Sequence, residues 1–379
     1  MADPHGAEAG RLRVHWFLPT GGDSRDVVPT GDNPPREPSL AYLAQVAQAA
    51  DALGYEALLT PCGTMCEDAW LATASLLAVT NRVKFLVAFR PALLTPTLAA
   101  QMASTYQRLS GGRLLVNIVT GAEDAELARF GVFADKDTRY EQTGEFLEVL
   151  RGAWSGEPYD HDGQHYRTVG ATTRARPTPV PPIYFGGASP AAEAVAARHV
   201  DVYLTWGEPP EMVTERLDRM RSLAASHGRT LRFGIRFHVI ARPTAAEAWA
   251  VAEQLLAGMD PAAVAAAQAD FAATKSEGQK RMAALHRGNP SDLEVYPNVW
   301  AGVGLVRGGA GTALVGSYDD VADRIAEYHA LGLDEFILSG YPHLEEAYWF
   351  GEGVLPILRR RGLVTPLDGP AAGPVSTFR

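Results

Sequence analysis

The feature that most constrains this chain is an alternation of strand-like and helix-like segments along nearly its whole length. Apolar, β-branched runs at 13–18, 55–60, 83–89, 114–119, 183–185, 200–205, 232–240 and 335–338 read as eight strands. Helical patterns lie between them at 40–53, 68–79, 97–109, 139–151, 190–198, 210–227, 245–259 and 318–331. In the first of these Ser39 is a candidate N-cap, Leu40, Leu43, Val46, Ala47 and Ala50 share one face, and Gly54 ends the helix. The junction Ala52-Leu53-Gly54 recurs as Ala330-Leu331-Gly332, which suggests one helix–glycine–strand turn used twice. Strands that alternate with helices pair in parallel, and eight of each favour a closed TIM (β/α)8 barrel over the alternative, a doubly wound open sheet.

At 379 residues the chain suits one such barrel domain carrying insertions. Two stretches interrupt the alternation. Residues 152–182 are rich in Pro and Gly and read as an excursion before the fifth strand. Residues 261–316 begin alanine-rich and end in the Gly-rich run AGVGLVRGGAGTALVG; an insert of this length in a compact domain suggests a lid. The tail from Pro366 onward reads as a frayed end or an arm onto another subunit.

Charge and cysteine usage narrow the partners. A formal net charge of −10 argues against nucleic acid, whose phosphates require a basic face. It leaves room for a small anion held by a few converging arginines. The first residues, MADPHGAEAGRLR, lack the apolar core of a secretory signal, and no apolar run is long enough to cross a membrane. The two cysteines, Cys62 and Cys66, build no disulfide framework and fit a reducing cytoplasm. They are too few for a zinc site, and the spacing of His238 and His343 matches none, so no metal is expected.

Barrel chemistry collects at the C-terminal ends of the strands. Here those ends carry Thr60-Pro61-Cys62-Gly63-Thr64-Met65-Cys66, Arg90-Pro91, Asn117 with Thr120-Gly121, Gly186-Gly187-Ala188-Ser189, Trp206-Gly207 and Ser339-Gly340-Tyr341-Pro342-His343. In the seventh strand, period-two alternation puts Phe233, Ile235, Phe237 and Val239 on one face and Arg232, Gly234, Arg236 and His238 on the other. Arg236 and His238 would then point into the barrel near its active end. A buried arginine must be compensated, by an internal salt bridge or by a bound anion whose oxygens its planar fork can grip. Gly186-Gly187-Ala188-Ser189-Pro190 enters a helix, as either a plain turn or a phosphate cradle. Gly302-x-Gly304-x-x-Arg307 lacks the third glycine of a dinucleotide fingerprint, and no Gly-Lys-Ser/Thr phosphate loop occurs.

Several of these segments resemble the flavin-dependent alkanesulfonate monooxygenases of the bacterial luciferase-like group. They are Trp16-Phe17-Leu18-Pro19-Thr20, Cys66-Glu67-Asp68-Ala69-Trp70, Leu204-Thr205-Trp206-Gly207-Glu208-Pro209-Pro210 and the strand Phe233–Ile240. The run Asn298–Gly311 and Ser339-Gly340-Tyr341-Pro342-His343-Leu344-Glu345-Glu346-Ala347-Tyr348 add to it, so the resemblance spans about residues 12 to 350. It implies a two-component system in which a separate NAD(P)H-dependent FMN reductase supplies reduced FMN (FMNH2). With O2 as co-substrate, an alkanesulfonate becomes an aldehyde and sulfite. It also implies a homo-oligomer, a dimer or a tetramer built as a dimer of dimers.

Carried over by motif, Arg236, His238, Tyr341 and Cys66 are the expected catalytic positions, with Cys66 beside the flavin and not a covalent nucleophile. Trp206, Arg236, His238 and Arg307 are the expected substrate contacts, and Arg307 would close with a mobile loop. Asn117, Tyr140, Gly187, Ala188 and Ser189 would hold the flavin. The chain departs from the family pattern where Ala188 replaces serine, Gly21 histidine, Thr64 arginine and Cys62 threonine. These departures bear on the substrate, which could be a short sulfonate or a sulfone. A deazaflavin-dependent dehydrogenase on the same barrel is opposed by the strings around Trp206 and Arg307. A flavin-binding protein without turnover is opposed by the joint presence of Arg236, His238, Arg307 and Tyr341.

Overall fold

A computed structural model describes residues 10–29, 33–121 and 123–367. Eight parallel strands close into a barrel: β1 Arg13–Phe17, β2 Ala57–Thr60, β3 Lys84–Phe89, β4 Leu114–Ile118, β5 Ile183–Gly186, β6 Val202–Trp206, β7 Arg232–Arg242 and β8 Glu335–Ser339. Each pairs with its neighbours in order, β6 pairs with β7, and β8 returns to β1. The TIM barrel expected from the alternation is the fold, and the open sheet is not.

The helices begin where the sequence supplies a side-chain acceptor for an orphan N–H. Ser39 accepts from Tyr42, Asp68 from Leu71 and Asp135 from Thr138, while Thr244 and Ser317 each form a capping box. Gly54 and Gly332 both adopt positive φ, 83° and 102°, but Gly54 caps its helix directly with its N–H on Ala50 O, whereas Gly332 follows a cap at Leu331 with its N–H on His329 O.

Inward-facing residues form layers along the barrel axis. β8 shows the sequence of environments: Glu335, Ile337 and Ser339 alternate inward by strand period. Ile337 joins Ala57, Leu86, Leu115, Tyr184 and Val202 in an apolar plug inside the barrel. A larger core lies between the strands and the outer helices, with Trp16, Phe85, Phe146, Phe185 and Phe350 fully buried there.

Below the plug, Glu335 gathers a buried charged cluster. It accepts from His15 Nε2 at 2.6 Å and from the Tyr184 hydroxyl at 2.9 Å, and pairs with Arg13 at 3.4 Å and with Arg232. Burial alone would raise the Glu335 carboxyl, but the His15 hydrogen bond and the charges of His15, Arg232 and Arg13 hold it at about 2, below its ordinary 4.5. Because the folded value is depressed, this stabilisation is complete above about 4.5 and is lost as pH falls towards 2. Glu335→Gln leaves the surrounding donors without a charged acceptor and should destabilise by about 3 kcal/mol. Urea unfolding at pH 7 checks this; an unchanged midpoint contradicts it.

Three segments differ from the expectation. The helix His343–Arg360 follows β8 and completes the barrel wall, although Gly351, Gly353 and an internal Pro356 break its sequence pattern. The excursion at 152–182 contains a small hairpin, Tyr159–Asp162 with Arg167–Ala171. The stretch 261–316 holds helices Pro261–Ala273 and Glu277–His286, but its last residues are not an insert. Ala313–Ser317 forms a further parallel strand on β7. It follows β6 on the same edge: Gly207 N–H donates to Arg236 O, and two residues on His238 N–H donates to Thr312 O. The tail from Pro366 lies mostly outside the described residues. No helix among the described residues is long and apolar enough to cross a membrane.

Candidate active site

A cavity of about 670 Å³ opens at the C-terminal end of the barrel, a volume in the range of small-molecule and cofactor sites. Strand ends supply its walls: Phe17 at the end of β1, Arg90 after β3, Asn117 in β4, Gly186 in β5, Trp206 in β6 and both Arg236 and His238 in β7. The segments Lys275–Gly278 and Arg307–Ala310 close it from above.

Nine of the eleven residues named from the sequence line this cavity: Asn117, Tyr140, Gly187, Ala188, Ser189, Trp206, Arg236, His238 and Arg307. Tyr341 stands just behind, stacked on the His238 ring at 5.4 Å and accepting a 2.5 Å hydrogen bond from Arg307 Nη1. Cys66 does not line the cavity. Its thiol is pushed up by burial, with a Thr20 hydrogen bond opposing, and burial pushes Cys62 up to about 11. Neither thiol is poised as a thiolate. Gly21, where histidine was expected, leaves no room for a side chain, since a Cβ there would fall 2.9 Å from the Met65 carbonyl oxygen.

Arg236 is 9 % exposed and makes no ion pair with a carboxylate among the described residues. Its guanidinium lies over the Phe17 ring at 5.1 Å, with Nη1 donating to the Phe237 carbonyl and Nη2 to Ser339 Oγ at 2.7 Å. The internal salt bridge left open by the sequence is therefore not formed. Burial first, and then the like charge of Arg307, push its pKa down to about 9. The guanidinium stays charged at neutral pH, in a setting that favours a counter-anion.

Two of the next bonds have a polarity fixed by chemistry, and the protonation state of His238 sets the third. Arg236 can only donate, so Ser339 Oγ accepts from it, which leaves the hydroxyl hydrogen free for His238 Nδ1 at 2.8 Å. A carbonyl can only accept, so His238 Nε2 carries the proton that binds Ala310 O at 3.0 Å. With His238 neutral and its proton on Nε2, every bond of the chain Arg236–Ser339–His238–Ala310 has one donor and one acceptor. Burial, together with the charges of Arg236 and Arg307, agrees by holding its pKa well below 6.5. The same bond ties the glycine-rich loop to the barrel. Gln279 holds that loop a second time, accepting from Gly309 N–H at 2.8 Å.

At the other end of the cavity, Gly186–Ser189 leads into helix Pro190–His199, whose dipole and first-turn N–H groups favour an anion. The Ser189 hydroxyl is already used as the N-cap, accepting from Ala192 N–H at 3.3 Å. A Cβ on Gly187 would fall 2.6 Å from that of Ala192, so only glycine fits the turn. Lys275 bonds Asp124 at 2.9 Å, and Lys136 Nζ donates to the Lys275 carbonyl at 3.3 Å, pinning the overlying segment here.

Several residues at the site had no role assigned from the sequence. Arg90 and Glu126 form an ion pair on its wall, and Glu208 is gripped by Nε and Nη2 of Arg281. Behind Tyr341, His343 Nδ1 bonds Asp23 at 2.6 Å. Arg90 and His343 stood out in sequence as polar residues at the ends of apolar strands, and Glu126, Arg281 and Asp23 did not.

Solved structures share this fold. A riboflavin lyase, solved with modified FMN and its substrate riboflavin, is 22% identical with a TM-score of 0.78, over 95% of this chain and 94% of its own. EDTA monooxygenase from Chelativorans sp. BNC1 is 20% identical with a TM-score of 0.73, over 94% and 95%. A long-chain alkane monooxygenase is 20% identical with a TM-score of 0.73, over 94% and 92%. At these identities the likeness is one of fold, and the three differ in what they act on. Residues 12–335 match the family described as luciferase-like monooxygenase, and the chain belongs to that family.

Proposed function

We propose that this protein is the oxygenating component of a two-component system. It takes reduced FMN from a separate NAD(P)H-dependent FMN reductase and, with O2, cleaves the C–S bond of an alkanesulfonate to give an aldehyde, sulfite and water. The observation that carries the substrate reading is the pair Arg236 and Arg307. Both guanidinium groups line one cavity, neither pairs with a carboxylate among the described residues, and the histidine between them is held neutral. Two uncompensated cations at the end of a barrel call for an anion. A sulfonate stays charged at any physiological pH and offers three acceptor oxygens to their forks.

The residues present fit FMN. Tyr140 and the glycine-tight turn at Gly187–Ser189, on a helix N-terminus, suit its phosphate, and Asn117 on the inner wall suits its ring. Ala188 provides no hydroxyl, so backbone N–H groups would do this work. When bound, reduced FMN supplies the two electrons that activate O2 for transfer of one oxygen atom. The chain itself orients the sulfonate through Arg236 and Arg307, and it excludes water by holding Arg307–Ala310 over the cavity through His238, Gln279 and Tyr341. Tyr341, whose hydroxyl accepts from Arg307, is the candidate to donate or accept a proton at its oxygen.

The reading treats residues 1–379 as one luciferase-like domain with insertions at 152–182 and 261–316. It places the protein in the cytoplasm beside its reductase, as a dimer or tetramer. Gly187→Val would push the turn off Ala192 and raise the Kd for reduced FMN about tenfold, within the roughly 1–3 kcal/mol of overpacking. An anaerobic titration with an unchanged Kd contradicts the phosphate assignment. The substrate reading is tested by quenching of tryptophan fluorescence under anaerobic conditions with reduced FMN present. An alkanesulfonate should saturate the signal, and an alcohol of the same chain length should not. Equal binding of the two removes the anion pocket.

A further inference from the structure

Arg90 directly follows β3 at the cavity rim and is 5 % exposed. Its Nη2 donates to Glu126, whose other oxygen accepts from Thr64 N–H at 3.1 Å, and its guanidinium lies over the Phe130 ring at 5.4 Å. Carboxylate and ring together hold the group in one orientation. Its Nε and Nη1 are buried, and neither meets an oxygen or nitrogen acceptor among the described residues. The thiol of Cys62 lies within hydrogen-bonding reach of the Arg90 side chain, but sulfur is a weak acceptor. Buried donors left this way destabilise a fold unless a ligand or an ordered water supplies the acceptor.

The position points to the ring end of a flavin. Phe89 pairs in register with Ile118, and Val119 N–H donates to Phe89 O at 3.0 Å, so Arg90 emerges level with the end of β4, next to the Asn117 wall. The phosphate cradle at Gly187–Ser189 follows β5, one strand further round. Reduced FMN readily loses its N1 proton and then carries negative charge across N1 and the adjacent carbonyl oxygen. The oxidised ring is neutral. An anionic O–C–N edge presents two acceptors side by side, which is what a fixed guanidinium fork matches.

Resting on the FMN reading above, we propose that Arg90 is a cofactor-binding residue that discriminates the anionic reduced flavin ring from the neutral oxidised one. The phosphate cradle contributes equally to both redox states, and Arg90 supplies the difference. Glu126 sets the size of that difference, because its carboxylate orients the guanidinium and offsets part of its charge. A component that must accept reduced flavin from a partner and release it oxidised needs such a difference.

The test is the ratio of two dissociation constants, for oxidised FMN in air and for chemically reduced FMN under anaerobic conditions. Wild type should bind the reduced form more tightly. Arg90→Gln should lower the ratio roughly 10- to 100-fold by weakening reduced FMN, with oxidised FMN changed by less than about threefold. Arg90→Lys, which keeps the charge and loses the fork, should fall between. Glu126→Gln, which leaves the charge of Arg90 without its counter-ion, should raise the ratio. An Arg90→Gln protein with an unchanged ratio, or with both affinities reduced alike, overturns the assignment and leaves the FMN site standing. Wild type that binds neither redox form overturns the FMN reading itself. If Arg90→Gln does not fold, Glu126→Gln decides, and a ratio that is unchanged or lower sinks the proposal.

Discussion

Replacing Arg307 with alanine is expected to lower sulfite release by roughly 10²- to 10³-fold, the loss typical when one preorganised donor to developing charge is removed. The Kd for reduced FMN should change little, because Arg307 and the Gly187–Ser189 turn belong to different elements of the cavity wall. Arg307 lies on the loop that His238 and Gln279 hold down, and its Nη1 is anchored on the Tyr341 hydroxyl. Alanine removes one of the two cations facing the substrate and frees the Tyr341 oxygen at the same time. The fold should survive, because the residue is only half-buried and its hydrogen-bond partner can turn to water. Stopped-flow flavin binding measured beside steady-state sulfite formation separates the two effects. Unchanged turnover contradicts the assignment, and so does a parallel loss of flavin binding.

The second large effect is expected at Arg236, and there the conservative replacement is the informative one. Arg236→Lys keeps a positive charge but cannot reach the Phe237 carbonyl, Ser339 Oγ and a substrate oxygen from one planar group. Without Nη2, the Ser339 hydroxyl no longer has a fixed donor, and the polarity that keeps His238 Nδ1 an acceptor is relaxed. Turnover should fall roughly 10²-fold through loss of the oriented donors, with a smaller change in melting temperature. Should Arg236→Lys turn over like wild type, point charge alone suffices and the hydrogen-bond chain has no role. Should it fail to fold, Arg236 belongs to the barrel's structure and not to its chemistry.

Much of this architecture was legible because its strands are buried on both faces and its helices begin at acceptor side chains. The run Leu114-Leu115-Val116 and the N-cap Ser39 are local signals, carried by few residues and independent of the rest of the chain. The inward direction of Arg236 and His238 followed from strand period alone. What stayed hidden depended on tertiary context. Helix His343–Arg360 carries Pro356 and two glycines, and forms because Phe350, Val354 and Leu358 bury against the barrel. The strand Ala313–Ser317 was lost in its glycine-rich surroundings, and exists because β7 outlasts β6 and offers an unpaired edge. The Arg90–Glu126 pair spans 36 residues and the His238–Ala310 bond 72. No local pattern encodes either. Glu335 opened an apolar strand and drew no notice, although it anchors the charged floor of the barrel.

The measurement closest to the central claim is sulfite release from alkanesulfonates of graded chain length, with an FMN reductase, NADH and O2 supplied. The account predicts sulfite and aldehyde in equal amounts, only when protein, reductase and O2 are all present, with one chain length preferred by the cavity. No sulfite from any sulfonate, by protein shown to bind reduced FMN, would contradict it and leave the arginine pair facing another anion.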